Sequence, residues 1–498
     1  MIHSRYDKRS VFISLHCILI PLWISFLLNF VMISSTGFLF KAYVFITLIY
    51  VYTLLVLFSK LETIIFYLIF ACFFNVPISS LYTSSTNLII VYSLIIISFR
   101  SVLTGTEFFS LGLIRRNGVT LPLIAIIVSY TVSFMLISSG FWFHLDFYSS
   151  IICGVLLIWS IIGSIKHRYQ ILIINRILLG ILLFNLIFSL LLLFFPGLDL
   201  IRAKFFSLTI FHGETATRLQ GFSFRGEAYG EYLMICSLWL LVMLSNRQIV
   251  RGRYVLWAIA LCGVVALFLT RLRGPLVVLL LGVLFFVIGA RSVRFSRKIL
   301  LVTVTSLMLL VSFALVSSFS HRTGVLETTV IERLGSLFDE TKAVGYIPST
   351  RYYTWVPALR FAASHNFIGT GPSFLPSIAV DRTFKDIILD EAQGNVLVWP
   401  HNLTLLILCT VGFYGIASYL FLLVRAFRLR KTYQQFEPYF KYSYSAYLLC
   451  LTAFVIEAQK FDGALRQSCT SFYFVCIIIG MLFTADNLAY SAQLEYIT

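Results

Sequence analysis

Repeated apolar runs of about 17–25 residues constrain this chain most, because that is the length at which an α-helix crosses the hydrocarbon core of a bilayer. No water is present there to satisfy backbone N–H and C=O groups. A spanning segment must therefore bond internally, and runs of this length do so as helices. About fourteen such runs can be placed. They lie at about 11–34, 40–58, 62–81, 87–99, 119–138, 149–165, 171–195, 228–245, 254–270, 275–290, 299–318, 402–424, 444–460 and 467–485. The expected fold is an all-α polytopic membrane protein, with residues 1–498 as a single membrane domain. Composition agrees, since 59% of residues are hydrophobic and only 12% charged, which no ordinary soluble domain matches. The first run follows Arg5, Lys8 and Arg9 and has no small-residue cleavage site behind it, so it reads as a retained helix rather than a secretory signal.

The formal net charge of +17 could suggest a nucleic-acid partner. Its distribution argues against one, because the basic residues form short clusters between spans rather than one continuous surface. Such clusters mark cytoplasmic connections. They comprise the N-terminal group, Arg100 with Arg115 and Arg116, Lys166 with Arg168, and Arg247 with Arg251 and Arg253. Arg291, Arg294, Arg297 and Lys298 form the next, and Arg425, Arg428, Arg430 and Lys431 the last. If the spans alternate, all fall on one side and both termini are cytoplasmic. Three segments are then left on the outer face: residues 196–227, the turn at 271–273, and a large loop at 319–400.

The outer turn Thr270-Arg271-Leu272-Arg273-Gly274-Pro275 carries two cations where outer loops are normally poor in Lys and Arg. Gly274 and Pro275 suit the start of a helix. Arg271 and Arg273 would therefore stand beside free N–H groups and a positive dipole end, a setting that favours an anion. Snorkelling to lipid headgroups explains one such arginine more easily than two. Pro400-His401-Asn402 opens a later span from the same side. An imidazole at a helix N-terminus tends to stay neutral, and a neutral histidine at the water interface can serve as a general base.

Arg218 and Arg225 frame a third outer segment, and Glu231 follows just inside the membrane, where an acid is costly unless paired. In the large loop, residues 349–362 read as a helix on which Arg351, Trp355 and Leu359 recur every four residues and share a face. Gly369-Thr370-Gly371-Pro372 ends that helix in a turn whose backbone could approach a ligand closely. No G-x-x-x-x-G-K-[ST], H-E-x-x-H or D-x-D occurs, and the nine cysteines are scattered mostly through apolar runs. No cofactor or metal is expected. Phosphate would instead be held by arginine, which is always charged and binds phosphate bidentately.

Together these segments resemble the bacterial O-antigen ligase and polymerase superfamily, the WaaL-type ligases and Wzy-type polymerases. Arg218-Leu219-Gln220-Gly221 resembles an outer R-x-x-G, and Leu272-Arg273-Gly274 is similar to S-R-G opening a span. Arg351, Trp355 and Gly369-Thr370-Gly371 follow in order, then His401-Asn402-Leu403 and Gly412-Phe413-Tyr414-Gly415. The resemblance covers roughly residues 215–425 and departs at Leu272 and Pro275, where small residues are usual. It implies a GT-C-like membrane glycosyltransferase in the bacterial inner membrane, with its active site on the periplasmic face under one large helical loop. The implied donor is an undecaprenyl-diphosphate-linked oligosaccharide. Arg218, Arg273, Arg271 and Arg351 would hold the diphosphate, His401 would act as base, and Arg225, Asn402, Trp355 and Glu231 would support them. The implied partners are the lipid-linked donor and acceptor, the bilayer, a flippase and a chain-length regulator.

A polymerase would extend another lipid-linked repeat unit, whereas a ligase would transfer to lipid A core. The motifs do not separate the two; the many spans and the large loop favour a polymerase. A flippase or other transporter is the competing class. Transporters place polar sites near the bilayer midplane, often between repeats, whereas here the polar residues collect at one face and no repeat is found.

Overall fold

The computed structural model describes residues 49–57, 59, 61–72, 77–78, 83–104, 118–136, 141–195, 219, 226–245, 253–270, 272–289, 302–303, 305–308, 349–372, 402–429, 438–459 and 470–497. The expected span at 11–34, and most of those at 40–58 and 299–318, lie outside these residues, as does most of the loop at 319–400. The described residues are mostly helical, and the strands among them form one minimal antiparallel pair, β1 (Pro77–Ile78) with β2 (Thr83–Ser84).

The helices are α1 (Leu61–Ala71), α2 (Ser85–Thr104), α3 (Thr120–Met135), α4 (Phe141–Ser164), α5 (Arg168–Phe194) and α6 (Gly226–Leu244). They continue with α7 (Arg253–Leu269), α8 (Arg273–Gly289), α9 (Ser349–Ser364), α10 (Leu403–Thr410), α11 (Gly412–Arg428), α12 (Pro438–Ala458) and α13 (Thr470–Ile497). By length and apolar composition, segments of α2, α4 and α5 are sufficient to cross a membrane; α3, α6, α7, α8, α12 and α13 contribute shorter apolar stretches.

The centre is α6. Every residue from Tyr229 to Ser245 is buried, as expected for a helix that is apolar all round rather than along one stripe. It packs against α7, α8, α12 and α13. On the flank, α11 turns its small residues Gly415, Ser418 and Ala426 inward and leaves Phe413, Tyr414, Leu420, Phe421, Val424 and Phe427 exposed. Small residues on one face let helices approach closely in an apolar setting. Here they admit α3, with Ser129 and Ser418 hydroxyls 2.9 Å apart.

The two ends of the bundle match the basic-cluster map. A Cβ placed on Gly118, at the start of α3, would lie 3.0 Å from the Arg425 guanidinium, so two of the basic connections share one end. At the opposite end Asn87 donates to Ser150 at 3.0 Å and accepts from the Tyr473 hydroxyl, which joins the starts of α2, α4 and α13.

Three expected spans are revised. Among the described residues of the run at 62–81, the helix is the 11-residue α1, and Pro77 and Ile78 lie in the β pair. That is about 16 Å of helix, half the hydrocarbon thickness. The short run at 87–99 is longer than expected, because α2 starts at Ser85 and ends at Thr104. The run at 402–424 is not one helix. It breaks at Val411, and Gly412 takes a positive φ of 78°. At one end of α10, Asn402 donates to the carbonyl of Gln459, just past α12; at the other, the Thr410 carbonyl accepts from Ser133 near the end of α3. Both anchors belong to the same end of the bundle, so α10 lies across that end instead of passing through it.

Candidate functional site

The turn after α7 is held from two sides. Leu219 donates its backbone N–H to the Leu269 carbonyl at 3.2 Å, which brings the residue after Arg218 to the last turn of α7. Thr270 is fully buried and closes back on the Leu267 carbonyl at 2.7 Å. A methyl on Gly230 of α6 would run into the Leu272 side chain and reach within 3.4 Å of Thr270 Oγ1. Glu231 follows at 1% exposure and is engaged with partners, as a buried acid in an apolar bundle must be. The segments before α6 and before α8, expected to share a face, therefore do meet.

Arg273 is the first residue of α8. The dipole end there was expected to favour a ligand anion, and a carboxyl group of the chain itself stands beside it. The Glu457 carboxylate of α12 lies on Gly274, so close that a methyl on that glycine would stand 2.7 Å from Oε2. Glu457 is 4% exposed. A carboxylate at a helix start is favoured by the unpaired N–H groups and the positive dipole end. Any donor anion at this turn would share its surroundings with Glu457.

Two residues beyond Glu457, the Gln459 carbonyl accepts from Asn402 Nδ2 at 2.8 Å, and the Gln459 side chain accepts from Thr404 at 2.5 Å. Asn402 also caps α10, its Oδ1 accepting from the Leu405 N–H at 3.0 Å. Substituting such a cap typically costs about 1 kcal/mol. Asn402 thus earns its place structurally, and it fixes the chain one residue after His401.

The structure brings together the neighbours of Arg218, the start of α8 with Arg273, Glu231's turn of α6 and Asn402. Arg218, Arg225, Arg271 and His401 themselves lie outside the described residues. Arg351 is the third residue of α9. The buried face of α9 is Ala358, Phe361 and Ala362, against Leu406, Leu408 and Cys409 of α10. Leu359 is exposed and Trp355 half-buried, outside that packing face.

The G-x-G turn makes close approaches within the protein. Gly369 (φ 90°) and Gly371 (φ 128°) use their missing side chains to approach neighbouring elements. A Cβ on Gly369 would meet the backbone nitrogen of Gly412 at 2.7 Å, and one on Gly371 would meet His144 Nδ1 at 2.7 Å. Thr370 and Gly371 donate to the Cys409 and Thr410 carbonyls at 3.2 and 3.0 Å, and Phe413 donates to the Phe367 carbonyl at 2.9 Å. The two glycine motifs clamp the end of α9 onto the α10–α11 break.

Sequence reasoning missed Glu457, Gln459 and this use of His144. One signal for Glu457 was present: it is the single charged residue between Ser443 and Ala458. Among the described residues no group of three or more His, Cys, Asp or Glu is arranged to hold a metal ion.

Comparison with known families bears on this same region. Residues 257–420 match the O-antigen ligase family model, Wzy_C. This match supports the O-antigen ligase and polymerase superfamily and spans most of α7, all of α8, α9 and α10, and half of α11. It includes the arginine turn, Asn402 and both glycine motifs, and excludes Arg218 and Glu457. No curated protein matches the chain.

Proposed function

We propose that the chain is a membrane glycosyltransferase that moves a glycan from an undecaprenyl-diphosphate-linked donor to an acceptor sugar hydroxyl, on the outer face of a bacterial inner membrane. The observation that carries this reading is the convergence of the arginine turn, the residue after Arg218 and the residue after His401 at one end of the bundle. The O-antigen ligase family match supports it independently.

In this reading Arg218, Arg271, Arg273 and Arg351 bind the diphosphate. Their fixed positive charge offsets the negative charge that grows on the leaving group, without a metal. His401 takes the proton of the acceptor hydroxyl as that oxygen attacks the anomeric carbon. The bond to the diphosphate breaks, and the lipid diphosphate leaves with the electron pair.

The acceptor in the first reading is another lipid-linked repeat unit, which makes the chain a polymerase. The description of the matched family favours a second reading, ligation to lipid A core. Surface glycan from a deletion strain separates them on a gel. Loss of the ladder with single repeats still attached means a polymerase, and loss of all attached glycan means a ligase. An unchanged ladder with altered lipid traffic would count against both readings and favour a transporter.

A further inference from the structure

The end of α12 touches both halves of the proposed site. Its Glu457 carboxylate lies on Gly274, one residue from Arg273. Just past the helix, the Gln459 carbonyl holds Asn402, one residue from His401. A stretch of only two residues, Glu457 to Gln459, thus links the donor-binding segment to the segment of the base. Transfer needs those halves at a set separation, because displacing a reacting group by about 1 Å can cost 100-fold in rate.

We propose that Glu457 is a positioning residue: its carboxylate holds the start of α8, and with it Arg273, at a fixed distance from the Asn402–His401 segment. The inference rests on the glycan-transfer reading. The negative charge matters as well as the size of the side chain. It complements the dipole end of α8. A buried acid is expensive among apolar helices, and an apolar residue of similar volume would be the less costly filler if packing were its only task.

The test uses the purified full chain with a polyprenyl-diphosphate-linked glycan donor. It reads kcat, donor KM and thermal midpoint for the wild type, Glu457→Gln, Glu457→Ala, Gly274→Ala and the double variant Gly274→Ala/Glu457→Ala. Glu457→Gln should keep the midpoint and donor KM near wild type while kcat falls about 10- to 100-fold, the scale of a small misplacement. Gly274→Ala should lower the midpoint, since its methyl enters the carboxylate. Adding Glu457→Ala should restore the midpoint but not turnover. A Glu457→Gln protein with wild-type kcat, or one whose activity falls only in step with its midpoint, would overturn the positioning role. So would a double variant that regains full turnover. A wild type that transfers no glycan would sink the glycan-transfer reading, and this inference with it, whereas an active wild type beside a fully active Glu457→Gln sinks the inference alone.

Discussion

Replacing His401 by alanine should abolish glycan transfer while protein level and donor binding persist. The expected loss is roughly two to four orders of magnitude, the usual scale for removing a general base. His401→Gln keeps hydrogen-bonding capacity but cannot accept a proton near neutral pH, so it should be equally inactive with purified donor; a fully active glutamine variant would leave the reaction without its base. For Arg273→Lys most of the activity should go, because an ammonium cannot copy the bidentate fork of a guanidinium. Normal turnover and normal donor affinity in that variant would reject the diphosphate role. Transfer should also persist after chelation of divalent ions, and a metal requirement would contradict an arginine-only account. At this scale the sequence placed two arginines in a six-residue turn and Asn402 at the start of a helix, and the structure shows Asn402 capping α10. Glu457 was not legible, because one acid hardly changes the hydropathy of an otherwise apolar run and only packing brings it to Gly274.

Among the elements, α10 is where sequence and structure part most. Its residues Leu403–Thr410 are as apolar as any span, and composition alone joins them to α11. What separates them is backbone geometry at Gly412, whose left-handed φ turns the chain where a continued helix was expected. Gly412→Ala would place a methyl against the Ile368 and Phe367 carbonyls in a conformation that alanine rarely adopts. A destabilisation of about 1–3 kcal/mol is expected from the strain alone. It is measurable as a lower thermal midpoint of the purified protein, and an unchanged midpoint would mean that the clamp contributes nothing to stability. The shortness of α1 was hidden for a related reason, since the apolar composition runs on past the point where Pro77 enters the β pair.

For the whole molecule, the basic clusters predict which ends of the helices lie together, and the Gly118–Arg425 contact agrees with them. Reporter fusions after Arg253 and near Asp381 should report opposite sides of the membrane; the same side for both would break the map. Periodicity and charge made the bundle and its two ends legible, because both follow from what lipid and water demand of each residue separately. The arrangement across that end of the bundle depends on contacts between residues more than two hundred positions apart, such as His144 with Gly371, and no local pattern encodes those. That long-range fastening bears on how such a chain can be recombined. A loop transplanted from a relative brings whatever residues that relative has in place of Gly369 and Gly371, but the parts they must grip, Gly412 and the His144 ring, sit in the recipient's helices. Chimaeras that exchange the loop alone should assemble poorly, and those that exchange the loop together with α4 and the α10–α11 break should keep its attachment intact.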